Sequence, residues 1–134
     1  MVSGPLRLSD WEQLSAAVPD MVATMRRYLD QLASILRPGS VSNADQALRS
    51  LATFLTEQAP EVSSVADIGR RQVEDYRQWL AARPGRDTAR VTPATLAHRL
   101  GTLRMFFVRL HEWDWPEAPP RVVAASARPA APGR

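Results

Sequence analysis

The sequence contains no cysteine and no lysine, and it has no long apolar run. Without cysteine, the chain forms no disulfide and offers no thiolate to a zinc site. Its apolar runs are shorter than the roughly 18 residues that suggest a transmembrane helix, and residues 1–8 lack the apolar core of a signal peptide. We therefore predict a protein that does not enter a membrane. The cytoplasm is its default location, although a chain without cysteine can fold in any compartment.

All 17 basic residues are arginine, and they exceed the 14 acidic residues to give a net charge of +3. A guanidinium group binds phosphate through two parallel hydrogen bonds, which suits a nucleic-acid partner. The abundance of alanine and proline offers a second explanation, codon bias in a GC-rich genome, and we favour it as the main cause. The charge alone therefore does not single out nucleic acid as the partner.

The 134 residues are enough for one domain with a modest core. Proline and glycine divide the chain into segments of helical length, and none alternates with period two long enough to predict a strand. We predict an all-α fold, a bundle of four main helices with a short leading N-terminal helix and a flexible C-terminal tail. The expected divisions are a leader over 1–19, a helical domain over 20–115 and a Pro/Ala/Arg-rich linker or tail over 116–134.

Capping residues and breakers set the expected helix ends. Ser9-Asp10 can cap a short helix from Trp11 to about Val18, and a first main helix follows between Pro19 and Pro38. A second main helix is capped by Ser40 or Ser42 and reaches about Gln58. A third lies within 61–85, and a fourth runs from Pro93 to about Trp113. Thr92 before Pro93 is a favourable start for the fourth helix, because threonine caps helices and proline fits the first helical position.

The fourth helix divides by angle into an apolar stripe and a polar flank. The apolar stripe is about 80° wide at 100° per residue and contains Leu96, Leu100, Leu103, Phe107 and Leu110. The polar flank contains Thr95, His98, Arg99, Thr102 and Arg109. Hydroxyl, imidazole and guanidinium groups in one patch suit hydrogen bonds to phosphates and base edges. A solvated surface is the alternative, and for a single helix it is the commoner one.

The second main helix repeats this division. Its apolar stripe contains Ala44, Leu48, Leu51 and Leu55, and its polar stripe contains Ser42, Gln46, Arg49 and Thr53 without an acid among them. Two acid-free polar stripes favour a shared binding surface.

Other candidate sites do not amount to a catalytic or metal centre. His98 and His111 are separated by about 140° in projection, which is a poor arrangement for two metal ligands. Tyr28 and Tyr76 lie at core-like spacing, so we expect packing roles for both. The sequence contains no glycine-rich phosphate loop and no nucleophile motif. We predict no catalytic residue, no metal, no cofactor and no small-molecule substrate.

Three stretches resemble the N-terminal core-binding domain, the SAM-like helical domain, of phage-integrase-type tyrosine recombinases. "DIGRRQVEDYRQWLAAR" is similar to the third helix of that family, and "VTPATLAHRLGTLRMFFVRLHEWDW" resembles its fourth helix. "GSVSNADQALRSLATFL" is similar to the second helix, but Asn43 stands where threonine is usual and Ala47 where tyrosine is common. The resemblance covers about residues 21–120.

The resemblance implies a module that clamps one side of duplex DNA, with its second and fourth helices at the major groove. The contacts that it implies are Ser42, Gln46, Arg49, Thr95, His98, Arg99 and Thr102, with Arg86 and Arg90 as phosphate clamps. It also implies a role in DNA integration and recombination, with other recombinase protomers as further expected partners. The chain lacks the catalytic domain of the family, so no enzymatic activity is expected. The alternative is a helical protein-interaction module or a standalone, non-catalytic regulator of recombinases.

Overall fold

Five α-helices form the part of the protein that the structure describes. The computed structural model describes residues 9–83 and 90–120. These residues contain α1 (Trp11–Ala17), α2 (Pro19–Ala33), α3 (Pro38–Gln58), α4 (Arg70–Ala81), α5 (Pro93–Glu112) and a short 3-10 helix (Val65–Asp67). They contain no strand, which confirms the all-α class. Within the described ranges, no helix is long and apolar enough to cross a lipid bilayer.

Helix α3 is the central element, because it contacts α1, α2, α4 and α5. Six consecutive residues, Ser50 to Leu55, are buried. Six residues cover more than one full turn of helix, so this part of α3 is enclosed on every side. Ala47 and Ala52 are fully buried and small, which allows the neighbouring helices to approach the α3 backbone closely.

Side-chain caps explain where α1 and α5 begin. Asp10 and Gln13 form a capping box at the start of α1, and Thr92 Oγ1 accepts a hydrogen bond from the Thr95 amide at the start of α5. Both predicted caps are confirmed. The serine cap predicted for α3 is wrong, because α3 begins earlier, at Pro38, without a side-chain cap. Proline suits the first helical position, since its φ angle is already helical and its missing N–H has no partner there.

Aromatic contacts within the core join α2 to α5 and α3 to α4. Tyr28 of α2 meets Phe106 of α5 edge-on, with ring centroids 4.8 Å apart. Phe54 of α3 meets Tyr76 of α4, with centroids 5.7 Å apart. Most of the predicted apolar positions are buried, while Leu36, Leu96 and Trp79 are partly buried.

The packed body extends further toward both ends than the expected division at residues 20–115. In the leader, Leu14 and Val18 of the α1 region are buried in the core. After α5, the chain turns at Asp114, whose φ of 57° is left-handed, and Trp115 and Pro119 are buried. The segment 116–120 therefore packs against the helices, while residues 121–134 of the predicted tail lie outside the described residues.

Candidate nucleic-acid interface

Four of the predicted contacts lie together on the N-terminal half of α5. Thr95, His98, Arg99 and Thr102 are spaced three and four apart, so they form one patch on the helix surface. We call these four residues the α5 patch. Thr95 and His98 are exposed, whereas Arg99 and Thr102 are half-buried.

The two hydroxyls of the α5 patch differ in what they can offer a ligand. Thr102 Oγ1 donates to the carbonyl oxygen of His98 over 3.0 Å, so its proton is used within the helix. Thr95 Oγ1 accepts a hydrogen bond from Thr92 Oγ1 over 3.0 Å. Its own proton can therefore be donated to an outside acceptor such as a phosphate oxygen.

Arg99 is half-buried on α5, and its charge acts on the buried Tyr76 of α4. Tyr76 is fully buried, and its hydroxyl shares a 2.7 Å hydrogen bond with Ser50 Oγ of α3. Burial raises the pKa of the Tyr76 phenol, and the bond to Ser50 and the nearby charge of Arg99 oppose that rise.

The C-terminal half of the predicted polar flank is used for packing. Arg109 Nη1 donates to the Tyr28 hydroxyl over 3.2 Å, and Phe106, which projects from the same side of α5, is fully buried. The core face of α5 is thus about 120° wide at 100° per residue. The sequence contained the signal for this, since an aromatic residue at position 106 interrupts the otherwise polar flank.

The predicted contacts on α3 fall into exposed and engaged residues. Ser42 and Gln46 are exposed, but Arg49 Nε lies 3.0 Å from Asp45 Oδ2. The same carboxylate accepts a hydrogen bond from Trp11 Nε1 over 2.7 Å. Thr53, also on the predicted polar stripe, is buried and accepts a bond from the Ser9 amide over 3.3 Å. The exposed, acid-free part of the polar stripe on α3 is therefore shorter than the residue spacing had predicted. The acidic residue Asp45 lies beside it.

The helices α3 and α5, which carry the two sets of predicted contacts, pack directly against each other. Arg90, before α5, is exposed. Arg86 lies outside the described residues.

Positive charge is concentrated next to the α5 patch. The described residues between Tyr76 and His111 contain six arginines and no acid: Arg77, Arg83, Arg90, Arg99, Arg104 and Arg109. The described residues as a whole hold 12 of the 17 arginines and 13 of the 14 acidic residues, so their formal charges nearly cancel. The positive charge is therefore concentrated in the stretch from the second half of α4 through most of α5.

The described part of the chain holds no group of three or more His, Asp or Glu side chains suited to a metal ion. No protein family, curated protein or solved structure matches this chain.

Proposed function

We propose that the chain is a duplex-DNA-binding module of the SAM-like core-binding type that serves tyrosine recombinases in DNA integration and recombination. The observation that carries this proposal is the α5 patch within a stretch of six arginines and no described acid. Guanidinium and hydroxyl groups supply phosphate contacts, and an imidazole or amide at a groove can read base edges. We assign the phosphate contacts to Arg49, Arg99 and the loop arginines Arg86 and Arg90. We assign the groove contacts to the other polar residues: Ser42, Gln46, Thr95, His98 and Thr102.

The charge distribution bears on the strength of this binding. Because the formal charges of the described residues nearly cancel, attraction to DNA comes from the local positive region and fades beyond a Debye length of about 10 Å at 0.1 M salt. Each phosphate contact releases counterions and adds about 0.9 to the slope of log affinity against log salt concentration. We therefore propose modest affinity with a steep salt dependence.

Burial of both tyrosines supports a non-catalytic role. Tyr28 is 1% exposed and Tyr76 is 0% exposed. A nucleophile must reach the scissile phosphate, and neither hydroxyl is accessible to one. We propose that this chain binds DNA in the cytoplasm, alongside recombinase protomers that supply the chemistry, without a cofactor or small-molecule substrate of its own.

A fluorescence-anisotropy titration with a random-sequence duplex at several salt concentrations tests the DNA-binding proposal. The parent chain should bind at low salt and lose affinity steeply as salt rises. Arg49→Ala combined with Arg99→Ala should weaken binding and reduce the salt slope by about two, one for each phosphate contact removed. Absence of binding at low salt would contradict the proposal.

The matched control removes two arginines from another surface. Arg70 and Arg71, in the first turn of α4, have side chains 82% and 89% exposed and pair with Glu74 and Asp75. Arg70→Ala combined with Arg71→Ala changes the net charge by the same amount, so it should leave the salt slope nearly unchanged. An equal loss in both double variants would mean that binding is a diffuse charge effect without a defined interface.

The alternative, a helical protein-interaction module or a non-catalytic regulator of recombinases, would use an apolar surface. A groove of about 510 Å³ between α2 and α3 has an apolar lining that includes Leu29, Leu36 and Val41, and Ser42 also borders it. The same titration separates the two functions, because a module of this kind does not require DNA binding that depends on Arg49 and Arg99.

A further inference from the structure

One arginine of the positive stretch lies on an aromatic ring, at the junction between α4 and α5. The guanidinium carbon of Arg83 lies 4.8 Å from the centroid of the Trp79 ring. This distance is within the roughly 6 Å over which an aromatic face attracts a cation. The sequence predicted no DNA contact at either residue.

The protein interior holds the Trp79 ring in place. Its centroid lies 5.4 Å from that of Phe54 and 6.0 Å from that of Tyr76, and both of these neighbours are buried. Trp79 Nε1 is also buried and has no hydrogen-bond partner among the described residues, so packing holds the ring. Because the ring is fixed, Arg83 loses less side-chain entropy than a free arginine when a phosphate binds to it.

The backbone of Arg83 is bonded to the start of α5. Its carbonyl oxygen accepts a hydrogen bond from the Val91 amide over 2.9 Å, and Val91 directly precedes the Thr92 cap. Thr95, the first residue of the α5 patch, donates its amide proton to that cap. Arg83 therefore lies beside the end of α5 at which the α5 patch begins.

A second arginine of the fold lies on a tryptophan in the same way, but its charge is paired. Arg27 lies 3.8 Å from the centroid of the Trp115 ring and also pairs with Glu117 at 3.5 Å. No described acid forms an ion pair with Arg83. A cation–π contact requires no oxygen acceptor, so the N–H donors of Arg83 remain available for phosphate oxygens.

We propose that Arg83 is a further phosphate contact for bound duplex DNA and that Trp79 is the positioning residue that holds it there. This inference rests on the proposed DNA-binding function and extends the interface from the α5 patch across the junction with α4. Trp79 does not touch the DNA. Its ring fixes the guanidinium group, whose two parallel N–H donors match two oxygens of one phosphate.

A double-mutant cycle on DNA affinity in the full chain tests both roles. Arg83→Ala should lower the salt slope by about one, because one phosphate contact is removed. Trp79→Leu should weaken binding about two- to fivefold, the factor that corresponds to an exposed cation–π contact, and should have no further effect in an Arg83→Ala background. Arg27→Ala removes the arginine from the other tryptophan, so it should leave the affinity and the slope nearly unchanged.

A conservative variant and an NMR measurement distinguish positioning from a folding defect. Trp79→Phe keeps an aromatic face for Arg83 and removes an indole N–H that has no described partner, so it should bind DNA nearly as well as the parent chain. In the parent chain, the Arg83 Nε–H resonance, assigned by its absence in Arg83→Ala, should be shifted upfield by the Trp79 ring. It should shift again when duplex DNA is added. These two measurements decide the positioning role even if Trp79→Leu does not fold.

The outcomes separate this inference from the function on which it rests. If the parent chain does not bind DNA, the proposed function fails and the inference falls with it. If Arg49→Ala with Arg99→Ala weakens binding while Arg83→Ala behaves like Arg27→Ala, only the Arg83 contact is overturned. If Trp79→Phe loses as much affinity as Trp79→Leu, or if Trp79→Leu weakens binding in the absence of Arg83, Trp79 acts on the fold and its positioning role is overturned.

Discussion

Two tyrosines are fully buried in the core, and each hydroxyl has a polar partner there. Tyr28 accepts a hydrogen bond from Arg109, and Tyr76 shares one with Ser50. Burial raises the pKa of both phenols, because a phenolate loses its hydration in the interior, and nearby arginines oppose that rise only in part. Both tyrosines are therefore neutral hydrogen-bonding groups at physiological pH.

Stability should consequently fall at alkaline pH. A phenol whose pKa is raised in the folded state keeps its proton there while the unfolded chain loses it, so the stabilisation is complete below about pH 10 and is lost above it. In that window, each tyrosine lowers the free energy of unfolding by up to about 1.4 kcal/mol for each unit by which the pH rises. Urea unfolding between pH 8 and pH 11 measures the loss.

The control for the alkaline prediction is the variant with both tyrosines changed to phenylalanine. It should be less stable at pH 8 and should show a flatter dependence above pH 10. A parent chain whose free energy of unfolding does not change between pH 10 and pH 11 would contradict the assigned pKa direction.

At the scale of single helices, α3 carries the packing of the whole bundle. Its small residues are enclosed by four other helices, and Ala52 is fully buried. A leucine at position 52 must displace neighbouring side chains, since interiors are packed at crystal-like density. Helix α5, by contrast, has two halves with different roles, a packed C-terminal half and an N-terminal half that presents the α5 patch.

Ala52→Leu should lower the free energy of unfolding by about 1–3 kcal/mol through overpacking. Ala23→Leu is the matched control, because Ala23 lies on the exposed side of α2 and should change stability by less than about 0.5 kcal/mol. Denaturant midpoints at constant slope give both values. If Ala52→Leu left the free energy of unfolding unchanged, the space beside Ala52 would be large enough for a leucine side chain.

At the scale of the whole molecule, the segment after α5 closes one end of the bundle. The Trp115 amide donates to the Leu110 carbonyl over 3.0 Å, a bond of the Schellman type that turns the chain back at Asp114. The guanidinium group of Arg27 lies 3.8 Å over the Trp115 ring, and Arg27 also pairs with Glu117 at 3.5 Å. This segment therefore links the end of α5 to α2.

Trp115→Ala should cost about 3 kcal/mol of stability or more, since a buried tryptophan ring and its contact with Arg27 are lost. Glu112→Ala, an exposed change at the end of α5, should have little effect. Thermal and denaturant unfolding measure both variants. If the Trp115→Ala chain were as stable as the parent, the segment after α5 would not stabilise the bundle. It would then fit the linker that the sequence predicted from residue 116.

The amino-acid sequence by itself determined the helical class, the apolar stripes and two of the caps. Period and capping depend on residues within a few positions of one another, as Asp10 with Gln13 and Thr92 with Thr95 show. It also predicted that Ser42, Gln46, Thr95 and His98 would be exposed, because they lie opposite the apolar stripes.

Only the tertiary structure decided which of the remaining polar residues are already engaged. Arg109 bonds Tyr28, which is 81 residues away in the sequence, and Thr53 bonds Ser9, which is 44 residues away. Asp45, which pairs with Arg49, also bonds Trp11, which is 34 residues away. A helical pattern describes the environment of a residue on its own helix. The partner of a polar group is supplied by distant parts of the chain, so periodicity cannot predict whether that group is free to bind.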